Sequence, residues 1–220
     1  MIGVPKILCV YKSGGDFKPS HVKRLADQVR AYAGGTPFLC LTDKPQDIAA
    51  IGVEAMPIEP VFKGWWSKLH VFRVPGPCLY LDLDVNVIGD LAPLLEAAAK
   101  HDLIALADFW VEGPHRINSS VLGWRGDLSS IYKEFAEAPT AFMSLYSSRA
   151  MWGDQRFLAD TYQDEPALWQ TILPGMLASF KLGALKGADL SDCRVLASHG
   201  QPRPWGDGGA DQWLARKQRR

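Results

Sequence analysis

A chain of 220 residues in which 24 Lys plus Arg face 24 Asp plus Glu carries no formal net charge, with 47% apolar and 22% charged residues. That profile is of a globular protein with enough chain for a sizeable core. It argues against a long nucleic-acid footprint, which needs a basic excess. No apolar run approaches the roughly 20 residues that span a bilayer. The opening MIGVPKILCVYK lacks a secretory apolar core and cleavage site, so a cytoplasmic location is expected. Four widely separated cysteines, Cys9, Cys40, Cys78 and Cys193, form no C-x-x-C pair and read as buried free thiols. Eight tryptophans point toward flat or sugar-like ligands, with Trp65, Trp66 and Trp205 as candidates to line a site.

The elements alternate along the chain. Residues 7–11 (ILCVY) read as a strand buried on both faces. Ser20 is placed to cap a helix carrying Val22, Leu25, Ala26, Val29 and Ala33, which Gly34-Gly35 stops. A second strand at 37–42, a loop at Asp43-Lys44-Pro45 and a short strand over Val53–Ile58 follow. Ser13-Gly14-Gly15 reads as a plain turn. Gly64–Phe72 reads as a short amphipathic helix ended by Pro75-Gly76-Pro77, with Lys68 as a solvated charge or a ligand contact. Beyond it come a strand Cys78–Leu81 running into Asp82-Leu83-Asp84, a helix Leu91–Ala99, and strands Leu103–Ala107 and Ser120–Trp124. Helices over Arg149–Gln163 and Glu165–Thr171 and a last strand Val195–His199 complete the reading. Alternating strands and helices predict one α/β domain over 1–220, built on a mostly parallel central sheet flanked by helices, with a basic, frayed tail at 214–220. Membrane contact is at most peripheral, through that tail.

Ligands of such sheets sit beyond the carboxyl ends of the strands, so polar residues ending apolar strands are the ones that matter. Asp82 and Asp84 are two apart on extended chain, which turns both carboxylates to one side. Converging carboxylates repel unless a cation lies between them or one keeps its proton. A hard divalent ion, Mn²⁺ or Mg²⁺, suits such oxygen donors. His199, at the head of the Gly-, Pro- and Trp-rich segment His199–Trp205, is a candidate to complete that shell.

These residues carry a family likeness. Tyr80-Leu81-Asp82-Leu83-Asp84-Val85 with Val87-Ile88-Gly89-Asp90-Leu91 resembles the D-x-D signature of GT-A glycosyltransferases, most nearly the retaining family 8 type. Ile117–Val121 resembles that family's N-a-G-v segment, Trp152-Gly153-Asp154-Gln155 its D-Q element, and His199–Trp205 its terminal H-x-x-G-x-x-K-P-W. Val10-Tyr11-Lys12 and Leu41-Thr42-Asp43 resemble its nucleotide-side strand ends.

The resemblance implies a GT-A (Rossmann-like) fold and transfer of a sugar from a nucleotide-diphosphate sugar, such as a UDP-sugar, to a glycan, lipid or protein acceptor, with the anomeric configuration retained. It implies Asp82, Asp84 and His199 as metal ligands. Donor contacts fall to Tyr11, Asp43, Lys68, Asp82, Asp108, Asn118 and Arg203, and Asp154 and Gln155 lie beside the anomeric carbon. The final motif is two residues shorter than the family's, Arg203 stands for its Lys, and Ser119-Ser120 stand for its Ala-Gly.

Two rival readings use the same residues. A haloacid dehalogenase-type phosphohydrolase would use a D-x-D aspartate as nucleophile, but that motif normally follows the first strand, and here about 80 residues precede it. A non-catalytic module would bind nucleotide sugars or glycans through its tryptophans.

Overall fold

The computed structural model of the chain describes residues 3–110, 116–148 and 152–217. In chain order the elements are β1 (Lys6–Tyr11), α1 (Pro19–Tyr32), β2 (Phe38–Thr42), α2 (Pro45–Ala49), β3 (Glu54–Pro57), a 3₁₀ run (Gly64–Arg73), β4 (Cys78–Leu81), β5 (Val85–Val87), α3 (Ala92–Ala98), β6 (Ile104–Ala107) and β7 (Ile117–Trp124). The second half holds α4 (Ser129–Glu137), α5 (Pro139–Tyr146), α6 (Asp154–Thr161), β8 (Ala167–Leu168), α7 (Trp169–Ile172), β9 (Leu177–Ser179), a 3₁₀ turn (Ala184–Lys186), β10 (Val195–Ala197) and α8 (Ala210–Lys217).

Seven strands form the main sheet in the order β3-β2-β1-β4-β7-β6-β8. The pairs from β3 through β4 are parallel, β7 runs antiparallel to both β4 and β6, and β8 is parallel to β6. The expected mostly parallel α/β sheet is therefore present. Alternation along β1 sends Ile7, Cys9 and Tyr11 to one face and Leu8 to the other, so each face receives its own core. One core gathers residues of α1 and α3, and the other gathers the 3₁₀ run, α4 and α6. All four cysteines are buried in these cores or in a third, smaller one around Phe180 and Leu196.

The order places β1 and β4 side by side, while the chain from β1 winds outward through β2 and β3 before returning. A crevice opens at such a reversal, beyond the carboxyl ends of the two strands. A second sheet, β5-β10-β9, begins one residue after Asp84. The Asp82–Asp84 turn thus joins the two sheets. Pairing of Ala197 with Val85 brings the segment after β10 to the same place.

Several local expectations are corrected. Helix α1 starts at Pro19, with Lys18 rather than Ser20 at the cap; its N–H donates to His21 Nδ1 at 3.1 Å. Gly64–Arg73 is a 3₁₀ run buried from Trp66 to Phe72, where a short amphipathic helix was expected. The helix expected over Glu165–Thr171 is the short strand β8 followed by one turn, α7. Pairing of Ala167 and Leu168 with Ile104 and Ala105, and burial of Trp169 with its indole N–H on the Val121 carbonyl at 3.1 Å, override local helix preference there. The helix expected from Arg149 begins at Asp154; residues 149–151 lie outside the described ones. Helix α8 continues to Lys217, where a frayed tail from 214 was expected, and 218–220 lie outside the described residues. Among the described residues no helix is long and apolar enough to cross a membrane.

One buried group makes the fold sensitive to acid. His70 is fully buried, stacks on Phe62 at 4.4 Å between centroids, and is pushed down to about 4 by burial, against the pull of Glu59. Its neutral form is the native one. Between pH 6.5 and about 4 the unfolded chain therefore binds a proton that the folded chain refuses, and stability falls as pH drops through that window. Urea midpoints measured from pH 7 to 4 are expected to decline, and His70→Phe is expected to flatten that part of the decline.

Candidate active site

The crevice holds a cavity of about 560 Å³ whose wall includes Lys12, Ser13, Trp65, Lys68, Asp82, Asp84 and Arg203. Strand β4 is buried at all four positions, so it delivers Asp82 and Asp84 to this wall on a rigid support. Two further contacts fix the turn. Arg24, on α1, donates through Nη2 to the carbonyls of Leu83 and Val85 at 2.8 and 2.7 Å, clamping the backbone on both sides of Asp84. The Asp82 N–H donates to the Ser120 carbonyl at 2.8 Å.

Both carboxylates already face cations. Asp82 accepts from Lys68 Nζ at 3.0 Å and from the Tyr80 hydroxyl. Asp84, 4% exposed, accepts from Arg203 Nη1. Burial, and then the nearby charge of Asp82, raise the Asp84 carboxyl above its ordinary range, although Arg203 and Lys68 oppose the rise. Both carboxylates lie on the cavity wall.

Lys68, 8% exposed, links this pair to a third carboxylate. Its ammonium donates to Ser119 Oγ at 2.8 Å and lies 3.4 Å from Asp154 Oδ2, while Ser119 Oγ donates to the same Asp154 oxygen at 2.7 Å. Burial alone would favour the neutral amine, but Asp154 and Asp82 hold the lysine charged and raise its pKa. Asp154 opens α6 behind the wall and is 5% exposed, so it reaches the cavity through Lys68 rather than directly. Gln155 is half-buried beside it. Ser119, read in the sequence only as crowding, is the hinge of this network.

The remaining sequence candidates separate. Asp43 does not line the cavity; it anchors residues that do. It accepts from Lys12 Nζ at 2.6 Å and from the Ser13 N–H and hydroxyl at 2.9 and 2.7 Å. Burial alone would raise its carboxyl, but those bonds bring it down to about 2. Ser13-Gly14-Gly15, expected to be a plain turn, forms part of the cavity wall. Tyr11 is buried in the core under this loop. Asn118 accepts the Ser120 N–H at 2.9 Å, and Asp108 Oδ1 accepts the Trp110 N–H at 2.8 Å; neither lines the cavity. Trp66 is core, stacked on Phe135, and Trp205 stacks on His21 at 3.6 Å, whereas Trp65 lines the cavity.

His199 is turned elsewhere. Its Nε2 pairs with Ser179 Oγ at 2.6 Å, its ring stacks on Phe109, and burial holds it down to about 4. Among the described residues no three His, Cys, Asp or Glu side chains gather as a metal-binding set, so the three-ligand shell implied by the motifs is not assembled. What fits a hard cation is the Asp82–Asp84 pair itself: two converging oxygen donors, one strongly desolvated, at the mouth of a cavity.

Loss of the Asp43 anchor has a defined expectation. Asp43→Asn is expected to speed exchange of the Ser13 amide hydrogen by about tenfold, the scale of one charge-assisted bond. Hydrogen-exchange measurements on both proteins read it.

The mostly parallel seven-stranded sheet flanked by helices matches, as a fold, solved structures of GT-A type. The chain aligns over 96% of its length with the glycosyltransferase GlyE of Streptococcus pneumoniae TIGR4, at 16% identity and a TM-score of 0.65, spanning 60% of that protein. It aligns over 96% of its length with the galactosyltransferase LgtC, solved with donor and acceptor sugar analogues, at 16% identity and a TM-score of 0.69, spanning 94% of that chain. At these identities the likeness is one of fold. No protein-family model and no curated protein sequence matches the chain.

Proposed function

We propose that the protein is a metal-dependent glycosyltransferase that moves a sugar from a nucleoside-diphosphate sugar, a UDP-sugar first among them, to a hydroxyl-bearing acceptor. The observation that carries this reading is the pairing of the Asp82–Asp84 turn with Lys68 and Arg203 on one cavity wall in a GT-A-type fold. Two carboxylates and two side-chain cations on that wall suit a charged, metal-associated diphosphate.

In this reading the loop of Lys12 and Ser13, anchored by Asp43, receives the nucleotide. Asp82 and Asp84 would hold Mn²⁺ or Mg²⁺, which would offset the charge on the departing diphosphate. Arg203, which faces Asp84, would be the side chain to contact the diphosphate. His199, paired with Ser179, would have to leave it to serve as a further ligand. Asp154, with Gln155 beside it, acts on the anomeric side through Lys68, whose charge it maintains. The bond from the anomeric carbon to the phosphate oxygen breaks with its electron pair on the diphosphate. The acceptor oxygen forms the new bond, and its proton passes to the leaving oxygen. Retention of configuration rests on the family resemblance. Asp108 and Asn118, which do not line the cavity, would become donor contacts only on rearrangement.

Nucleotide recognition tests the donor class directly. With Mn²⁺ present, UDP is expected to raise the melting temperature more than ADP, GDP or dTDP at equal concentration, and EDTA is expected to remove most of the rise. Stabilisation by none of the four would contradict the reading.

A further inference from the structure

Of the exposed large apolar side chains among the described residues, Trp65 is the one on the pocket wall, and the donor reading leaves it unused. Trp65 and Trp66 are neighbours on the 3₁₀ run, where successive side chains diverge by about 120°. Trp66 accordingly faces the core at 3% exposure, and Trp65 faces the cavity at 59% exposure. Such an exposed indole on a concave wall is costly to leave bare and is suited to a ligand that is apolar on one face.

Its placement is fixed by the backbone of the D-Q element. Gly153 has φ 65° and ψ −133°, a conformation open only to glycine, and a Cβ there would stand 2.8 Å from Trp65 Nε1. The indole edge therefore lies directly against the residue that precedes Asp154. The platform and the carboxylate that holds Lys68 belong to one packed unit. The polar groups suited to nucleotide and diphosphate, Lys12, Asp82, Asp84 and Arg203, share the wall with the less exposed Phe17, Tyr80 and Leu83. Trp65 offers only an indole face and one N–H.

The geometry points to Trp65 as the platform of an acceptor subsite, and to a saccharide as the acceptor: a pyranose whose C–H face stacks on the indole while its hydroxyl edge turns to the cavity. This rests on the glycosyltransferase reading above.

The test uses the full chain with Mn²⁺ and the UDP-sugar that it cleaves fastest in water, and follows UDP release as a panel of mono- and disaccharides, including lactose, maltose and cellobiose, is added. At least one saccharide is expected to accelerate release and to appear in a glycosylated product. For that saccharide Trp65→Ala is expected to raise the acceptor KM about tenfold or more, with the donor KM moved less than about twofold, and Trp65→Phe is expected to recover most of the loss. Gly153→Ala, which crowds the indole, is expected to raise the acceptor KM as well. An acceptor KM unchanged in Trp65→Ala overturns the proposal, as does a donor KM that rises as much as the acceptor KM. Acceleration by no saccharide in the panel also overturns it. Failure of the wild-type chain to cleave any UDP-sugar would instead overturn the underlying transferase reading.

Discussion

Asp84→Asn is expected to lower metal-dependent release of nucleoside diphosphate by at least about 100-fold while the domain stays folded. The rate loss follows from the position of the residue: Asp84 sits on the cavity wall with Asp82 and supplies one of the two carboxylates of the D-x-D pair. Losing one well-placed electrostatic partner of a developing charge typically costs about 10²–10³ in rate. The fold survives because Asn keeps the shape, Arg24 still clamps the flanking carbonyls, and the repulsion with Asp82 disappears. Arg203 loses a charged acceptor but retains Asp16 at 3.5 Å and its position over the Phe17 ring. Steady-state assays across a Mn²⁺ titration, with circular dichroism melts of both proteins, read the two effects separately. Full activity in this variant would remove the D-x-D pair from the chemistry.

Lys68→Met is expected to be the most damaging substitution to stability among the site residues. The methionine matches the aliphatic stem but leaves Asp82 and the buried Asp154 without their common cation, and leaves Ser119 Oγ with one partner fewer. Removing one member of a buried ion cluster costs about 3–5 kcal/mol. For a chain of this size that lowers the melting temperature by roughly 10 °C. Because the cost comes from unpaired carboxylates, Lys68→Met combined with Asp154→Asn is expected to melt higher than Lys68→Met alone. Such non-additivity is the mark of groups in contact. A double variant that melts as low as the sum of its parts would mean that the network is not held by charge. Activity is expected to be lost in both, since neither restores the cation beside Asp82.

The sequence makes the central part of the site legible because its signals are local. An apolar strand running into two aspartates two residues apart specifies a buried support, a shared face and a charge conflict, and all three are found in β4, Asp82 and Asp84. The alternation of apolar runs likewise specifies the parallel half of the sheet. What escaped is long-range. Arg24 is one of several polar residues on an amphipathic helix, and only the packing of α1 over β5 turns it toward the Leu83 and Val85 carbonyls. Ser119 gains its role from Lys68, 51 positions away, and Asp154, 35 away. The strands β5, β9 and β10 are three residues each, too short for any periodicity to register. Trp65 and Trp66 are indistinguishable by composition, and the 3₁₀ geometry alone divides them into surface and core.

His199 shows the converse: its motif context implies a metal ligand, while the short segment that follows β10 turns its ring to Ser179 and Phe109 and leaves Arg203 to face Asp84. The shortening of that motif by two residues is visible in the sequence, and in the structure it is Arg203 of that segment that meets Asp84.

The most direct measurement is release of nucleoside diphosphate from a panel of nucleotide sugars by the purified chain, with Mn²⁺ and with EDTA. The account predicts slow cleavage of at least one UDP-sugar in water with Mn²⁺, lost on chelation and restored by adding back the metal. Absence of cleavage across the panel, together with metal-dependent hydrolysis of a simple phosphate ester such as p-nitrophenyl phosphate, would contradict it and return Asp82 to the role of a phosphohydrolase nucleophile.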